Sequence, residues 1–517
     1  MSAVDTAAPA SVETGEAPAI PHWIDGAERA SRSGRTAPVF NPATGQLTGR
    51  AALADEAEVA EALASAERGA AVWGEYSVAK RQAVLFAFRE DVSARRDELA
   101  ALITAEHGKV HSDALGEIAR GLEVVELACG FPSLVKGGYT DNASAGIDVF
   151  TLKQPLGVVG VISPFNFPVM VPMWFFSVAL AAGNAVVLKP SEKDPSASLW
   201  LARAWQRAGL PDGVFTVLQG DKAAVDGLLT SPVVQSVSFV GSTPIARYIY
   251  ETAARHGKRV QALGGAKNHM LVLPDADLDL VADAAVNAGY GAAGERCMAV
   301  SVVLAVDTVA DELVAKVAER IGRLRVGDGA GGDGGEPDMG PLITREHRDK
   351  VASYVDIAET DGAEIVVDGR MLRVDGREHG FFFGPTLLDR VPTTSRAYTE
   401  EIFGPVLSVV RVGSFDEGVE LINSGAFGNG TAIFTNDGGA ARRFQREVQV
   451  GMIGINVPIP VPVAYHSFGG WKQSLFGDAK AYGVHGFEFF TREKAVTSRW
   501  PDPAERGGLD LGFPQHS

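Results

Sequence analysis

From about residue 148 to residue 272 the chain alternates short β-branched runs with helical stretches, and this alternation restricts the fold more than any other feature. The runs are LGVVGVIS, NAVVLKP, VFTVLQG, SVSFVGS, RVQALGG and HMLVLP, separated by helices such as ASLWLARAWQRAG and IARYIYETAARHG. Strand–helix alternation with short loops is the pattern of a parallel, doubly wound α/β sheet. The 59 glycines suit its many tight turns. A second α/β series is predicted from about residue 277. It holds a helix carrying Cys297, the strand VSVVLAVD, the amphipathic helix DELVAKVAERIGRL and the turn GDGAGGDGGEPD. The strands EIVVDG, FFFGPTLLDRV, PVLSVVRV, TAIFT and GMIGINV follow.

Ahead of both series, PHWIDGAER and APVFNPATGQ read as short strands with turns, and residues 55 to 128 as helices. Val59, Leu63 and Ala66 share one helical face, Val84, Phe88 and Val92 another, and LEVVELACGFPSLV is expected to continue as helix. The last segment, FEFFTREKAVTSRW, alternates like a strand and is expected to pair with a sheet edge elsewhere, in this subunit or another.

A formal net charge of -17 argues against nucleic acid or an anionic membrane as partner, so any anionic ligand must be held by local donors. The two cysteines, Cys129 and Cys297, make no disulfide framework, which fits a reducing cytoplasm. No metal-ligand spacing appears among the ten histidines, so no metal is expected. Residues 1–19 lack a basic n-region and an apolar h-region and read as a disordered tail. The longest apolar region, from Leu156 to Lys189, is interrupted by Pro164, Pro168 and Pro172, which disfavours a membrane span.

Several strings carry possible chemistry. In GYGAAGERCMAV, Arg296 precedes Cys297, and neighbouring positive charge is what makes a thiolate available near neutral pH. Gly291 and Gly294 let backbone approach whatever the sulfur attacks. Cys129 reads as a buried small hydrophobe. SPFNFP follows the strand LGVVGVIS, at the strand end where α/β folds place ligands. There Asn166 either donates its amide to a developing oxyanion, beside the backbone N–H of Cys297, or caps a turn. In KPSEKDP, Lys189 and Glu192 either meet ribose hydroxyls or are solvated loop charges. FVGSTPIA places Gly241, Ser242 and Thr243 at a helix start that can receive a phosphate. EEIFGPV sets Glu401 just ahead of an aromatic and a Gly-Pro turn.

Together SPFNFP, KPSEK, FVGST, LGGAKN, GERCM, EEIFGPV and SFGGWKQS, in that order, resemble the aldehyde dehydrogenase superfamily over residues 20 to 500. ALGGAKNHMLVLPDAD, GERCMA and GINVPIPVP are similar to its CoA-acylating branch, the methylmalonate- or malonate-semialdehyde dehydrogenases. The resemblance implies a Rossmann-like NAD-binding domain (20–136 and 156–270), an α/β catalytic domain (271–483) and a small β oligomerisation flap (137–155 and 484–505). It also implies a homotetramer, NAD as cofactor and coenzyme A as acyl acceptor. Cys297 becomes the nucleophile and Asn166 the oxyanion donor. Ser163 and Phe165 line the cofactor cleft, and Lys189, Glu192 and Lys193 lie at the adenosine ribose. Ser242 sits at the pyrophosphate, Gly264 near the nicotinamide and Glu401 on its ribose. Phe468 forms part of the aldehyde pocket wall, and Arg120 and Arg296 meet a substrate carboxylate, for which a guanidinium fork is suited.

Two departures from the wider superfamily stand out. Ala262 occupies the place matched to the Glu of an E-L-G-G-K string, the residue that activates water for thioester hydrolysis. Its absence favours CoA, whose thiol ionises without such help, over water as acceptor. Ala246 replaces a common Gly of the phosphate turn, a change expected to loosen the cofactor's grip. Glu295 is a conceivable substitute base, with a structural role preferred. The alternative activity is a hydrolytic NAD(P)-dependent aldehyde dehydrogenase releasing a free acid.

Overall fold

The apolar runs assemble into two large sheets in the computed structural model, which describes residues 17–332, 334–501 and 504. The tail expected over residues 1–19 lies almost wholly outside them. In the first, eight-stranded sheet the order is Leu475–Phe476, Arg259–Leu263, Val234–Val240, Val158–Ile162, Ala185–Lys189, Phe215–Val217, His22–Ile24, Ala27–Arg29. The five strands from Arg259–Leu263 to Phe215–Val217 run parallel. Antiparallel strands close both edges.

The chain moves outward from Val158–Ile162 through Ala185–Lys189 to Phe215–Val217, then returns to the other side of Val158–Ile162 for Val234–Val240. That reversal puts a topological switch point between Val158–Ile162 and Val234–Val240. The loops leaving those two strands diverge there and open a crevice, where such sheets bind ligands. Ser163 and Gly241 begin those loops.

The second sheet has seven strands, with Asn268–Val272 between Val300–Val306 and Gly430–Phe434. All pairs are parallel except that of the edge strand Glu364–Val367. The run HMLVLP therefore belongs to the second sheet and not to the first series. It is buried on both faces, so its pattern is the same in either sheet. The short loop after Leu263 carries the chain across.

Four helices, Glu56–Gly74, Val78–Ala94, Arg96–His107 and His111–Cys129, precede the parallel strands. Val59, Leu63, Ala66, Phe88 and Val92 are buried as the periodicity requires, and Val84 is partly so. The helix expected to run through LEVVELACGFPSLV stops at Cys129 and gives way to a 3-10 turn, Phe131–Ser133. Pro132 has no N–H with which to extend it. Met170–Ala181 is buried along its whole length, and no described helix is long and apolar enough to cross a membrane.

A third sheet joins Tyr139–Ser144, Ile147–Pro155 and Thr491–Arg499. Phe487–Phe489 of FEFFTREKAVTSRW end the helix Gly483–Phe489, and Phe490 is its C-cap. The strand half pairs with Ile147–Pro155 of the same chain, Thr491 opposite Pro155 and Arg499 opposite Ile147.

Helix His111–Cys129 lies against Met170–Ala181 at Gly121, where a Cβ would stand 2.5 Å from Met173 Sδ and 3.3 Å from Met170 Cα. Gly121→Leu overpacks this contact and is expected to lower the unfolding free energy by about 1–3 kcal/mol in denaturant titration.

Candidate active site

Cys297 is not on a helix. Helix Leu278–Tyr290 ends six residues short of the Arg296–Cys297 pair, and the cysteine sits in the turn before strand Val300–Val306. Ala292, Ala293 and Gly294 adopt left-handed backbone at φ 51°, 52° and 72°. For the two alanines this costs roughly 1–2 kcal/mol each. A Cβ at Gly294 would lie 2.2 Å from the carbonyl oxygen of Gly404. Gly291 leaves room for the Arg296 guanidinium, 2.6 Å from where its Cβ would be. The carbonyl of Cys297 accepts from Asn268 Nδ2 at 2.9 Å and Asn429 Nδ2 at 3.1 Å. Asn268 stood within LGGAKN; Asn429 carried no signal, because it reaches the cysteine only through the parallel sheet.

Two cavities meet at this turn, and among the described residues Cys297 alone borders both. The first, about 430 Å³, lies over the switch-point crevice and is lined by Ser163, Phe165, Asn166, Lys189, Glu192 and Lys193. Ser242, Gly264 and Glu401 complete it, so every residue expected at the cofactor is in one cleft. Lys189 ends its strand and pairs with Glu192 at 3.1 Å. Burial alone raises the Glu192 carboxyl, but Lys189 and its hydrogen bond carry it below the ordinary value. Lys193 Nζ lies 4.6 Å from the centroid of the Phe165 ring.

The cleft fits a dinucleotide. Ser242 is the N-cap of helix Thr243–Arg255 but makes no side-chain cap bond, leaving hydroxyl and helix N–H groups facing the crevice. The buried Ser163 hydroxyl has no hydrogen-bond partner among the described residues. Glu401 accepts from the Ala266 N–H at 2.8 Å. Burial raises its carboxyl to about 7, against the pull of that N–H and of Lys267. Sequence reasoning missed Lys267, whose ammonium donates to the carbonyls of Ala397 (2.7 Å) and Glu400 (2.8 Å) and so ties down the turn carrying Glu401. A Cβ at Gly265 would come within 2.4 Å of Glu401 Oε2.

The second cavity, about 360 Å³, opens on the other side of Cys297. Phe167, Met170, Trp174, Met298, Ile459, Val461 and Phe468 make it apolar, and Arg120 and Arg296 supply its cations. Arg120 forks onto Glu123 (2.7 and 2.9 Å) and donates to the carbonyl of Pro462 at 2.9 Å. Arg296 pairs with Asp113, a residue sequence reasoning did not single out. Phe468 packs on Trp174 with ring centroids 4.8 Å apart.

Four expectations change. Arg296 does not make Cys297 a ready thiolate. Burial pushes the thiol up to about 12, and Glu401 pushes the same way, against the N–H groups of Cys297 and Met298 and against Arg296, whose guanidinium is committed to Asp113. Asn166 does not cap its own turn: its buried amide donates to the Glu295 carbonyl at 2.9 Å, leaving one N–H for the cleft. Ala262 points into the core cluster behind the first sheet, while Leu263, the next residue on the strand, joins the core on which Cys297 packs. Ala262 is buried, lines neither cavity and brings no carboxylate to the matched place. Ala246 is wholly buried in the core behind its helix and does not line the cleft.

Glu295 borders neither large cavity, is fully buried, and is raised by that burial to about 8, so it is protonated at neutral pH. This places it outside direct base catalysis. Cys129 is buried with its thiol raised to about 11. No group of His, Cys, Asp and Glu suited to a metal occurs among the described residues.

Residues 29–496 match the aldehyde dehydrogenase family, and the chain belongs to it. It is 52% identical to a malonate-semialdehyde dehydrogenase of Pseudomonas aeruginosa over 494 residues, 95% of this chain and 99% of the relative. Identity to a malonate-semialdehyde dehydrogenase of Geobacillus kaustophilus is 44%, over 93% of this chain and 99% of that one. Among solved structures, methylmalonate-semialdehyde dehydrogenase from Oceanimonas doudoroffii aligns with a TM-score of 0.92 and 51% identity, covering 94% of this chain and 99% of its own. A Sinorhizobium meliloti protein, solved complexed with NAD, aligns with a TM-score of 0.92 and 47% identity, covering 95% and 99%.

The thiol offers a direct check. Alkylation of Cys297 by iodoacetamide in the free enzyme should keep accelerating well above the ordinary cysteine pKa of about 8.5. Glu401→Gln, which removes a charge that opposes ionisation, should shift the profile to lower pH.

Proposed function

We propose that the protein oxidises malonate or methylmalonate semialdehyde with NAD⁺ and transfers the acyl chain to coenzyme A, releasing CO₂ and acetyl-CoA or propionyl-CoA. The observation that carries this reading is the position of Cys297 as the one described residue shared by the dinucleotide-shaped cleft and the arginine-bearing pocket. The named relatives support the substrate class.

The sulfur of Cys297 forms a bond to the aldehyde carbon after losing its proton. Asn166 Nδ2–H and the Cys297 N–H hold the resulting oxyanion. Ser163 and Phe165 would line the cleft for NAD⁺ and Gly264 would lie near its nicotinamide, which when bound would supply the hydride acceptor. Lys189, Glu192 and Lys193 take the adenosine ribose, Ser242 the pyrophosphate and Glu401 the nicotinamide ribose. Arg120 and Arg296 grip the substrate carboxylate against the apolar wall that includes Phe468. Hydride departure leaves a thioester on Cys297, and loss of the substrate carboxylate as CO₂ then gives its enolate, which takes a proton from solvent to become the acetyl or propionyl thioester. Ala262 stands in place of the carboxylate of the hydrolytic members, Glu295 borders neither cavity, and Glu401, the carboxyl beside Cys297, is assigned to the nicotinamide ribose, so the CoA thiolate displaces the enzyme sulfur.

The same reading divides the chain into the cofactor-binding, catalytic and flap regions, with the small third sheet serving assembly of a homotetramer. It places the enzyme in the cytoplasm, in keeping with the two free thiols.

Steady-state NADH formation should require CoA with either semialdehyde and vanish in Cys297→Ala. CoA-independent turnover to a free acid overturns the proposal. Arg120→Met should raise KM for the semialdehydes by roughly ten- to a hundredfold, the worth of one charge-assisted hydrogen bond, while leaving propanal, which has no carboxylate, almost unaffected.

A further inference from the structure

We propose that Lys109 and Glu117 are positioning residues that set the oxyanion donor against Cys297, an inference resting on the reading of Asn166 in that role. Lys109 lies in the turn between helices Arg96–His107 and His111–Cys129, and Glu117 on the second of them. Both side chains are entirely buried and meet at 2.7 Å. The Lys109 ammonium also donates to the backbone carbonyl of Asn166 at 2.7 Å and lies 4.3 Å from the centroid of the Phe167 ring. The other oxygen of Glu117 accepts from the N–H groups of Val169 (2.8 Å) and Met170 (3.1 Å). Those groups open helix Met170–Ala181, which has no side-chain cap of its own.

The pair therefore grips the stretch 166–170 at both ends, by a carbonyl at Asn166 and by two N–H groups at Val169 and Met170. A buried ion pair is an expensive way to fill space, since desolvation costs several kcal/mol per ion and an apolar pair packs as well. What an apolar pair cannot do is hold three backbone polar groups in fixed directions. The Asn166 amide is aimed by the Glu295 carbonyl, which belongs to the cysteine turn. Its backbone is anchored independently by Lys109, which belongs to the helical region. The separation between the donor N–H and the carbon attached to Cys297 is thus fixed from two sides, and the Lys109–Glu117 pair is one of them. The same grip places Phe167 and Met170 in the wall of the aldehyde pocket.

The test is a mutant cycle read by the pre-steady-state burst of NADH. Asn166→Ala should slow the burst about a hundredfold or more, as for loss of an oxyanion donor. Glu117→Gln, which keeps volume and removes the charge, should slow it roughly ten- to a hundredfold, with NAD affinity and Cys297 alkylation unchanged. In the Asn166→Ala background the same substitution should cost no more than about twofold, the limit expected once the shared step is gone. A full-sized further loss in that background, or an undiminished burst in Glu117→Gln, overturns the positioning role. An undiminished burst in Asn166→Ala overturns the oxyanion reading instead. If Glu117→Gln does not fold, Lys109→Arg, which retains the cation, enters the same cycle. Non-additive losses then support the proposal and multiplicative ones overturn it.

Discussion

The site depends on a backbone turn that would not hold its shape alone. Ala292, Ala293 and Gly294 run left-handed, a conformation that L-residues avoid, and the strain is offset only because neighbours from distant parts of the chain enclose it. Asn268 and Asn429, from two strand ends of the second sheet, take the carbonyl of Cys297. Asn166, from the first sheet, takes the carbonyl of Glu295. Gly404 closes from a third direction, so near that only glycine fits at 294. Cys297 is therefore placed by the meeting of the two sheets.

That meeting also sets the electrostatics. Enclosing the turn strips water from Cys297, Glu295 and Glu401, and burial is the largest influence raising each of them. Around the site Arg296 pairs with Asp113 and Lys189 with Glu192. A cationic cofactor ring entering such a site meets a thiol whose ionisation it favours by simple attraction. The arginine beside the cysteine in sequence plays a smaller part in that ionisation than its adjacency suggests.

Much of the fold was legible. Periodicity located the helices and strands because burial of one face or of both is written directly in residue order. Four motif strings were legible too, since SPFNFP, KPSEK, FVGST and LGGAKN each come at the end of a parallel strand of the first sheet; all the residues expected at the cofactor line one cleft. What misled was adjacency. HMLVLP follows the first series in sequence but lies in the other sheet, and Arg296 precedes the thiol but turns to Asp113.

By itself the sequence determined the parallel α/β architecture, the strings that meet in one cleft and the alanine at position 262, because these follow from residue type and local period. Only the tertiary structure decided what each group does once there. It supplied the partners: Asp113 for Arg296, the two asparagines for the Cys297 carbonyl, Lys267 beneath the Glu401 turn, and the buried Lys109–Glu117 pair for the backbone of Asn166. Those interactions join residues far apart in the chain, and both their geometry and the desolvation that shifts the buried groups exist only after the sheets have packed together.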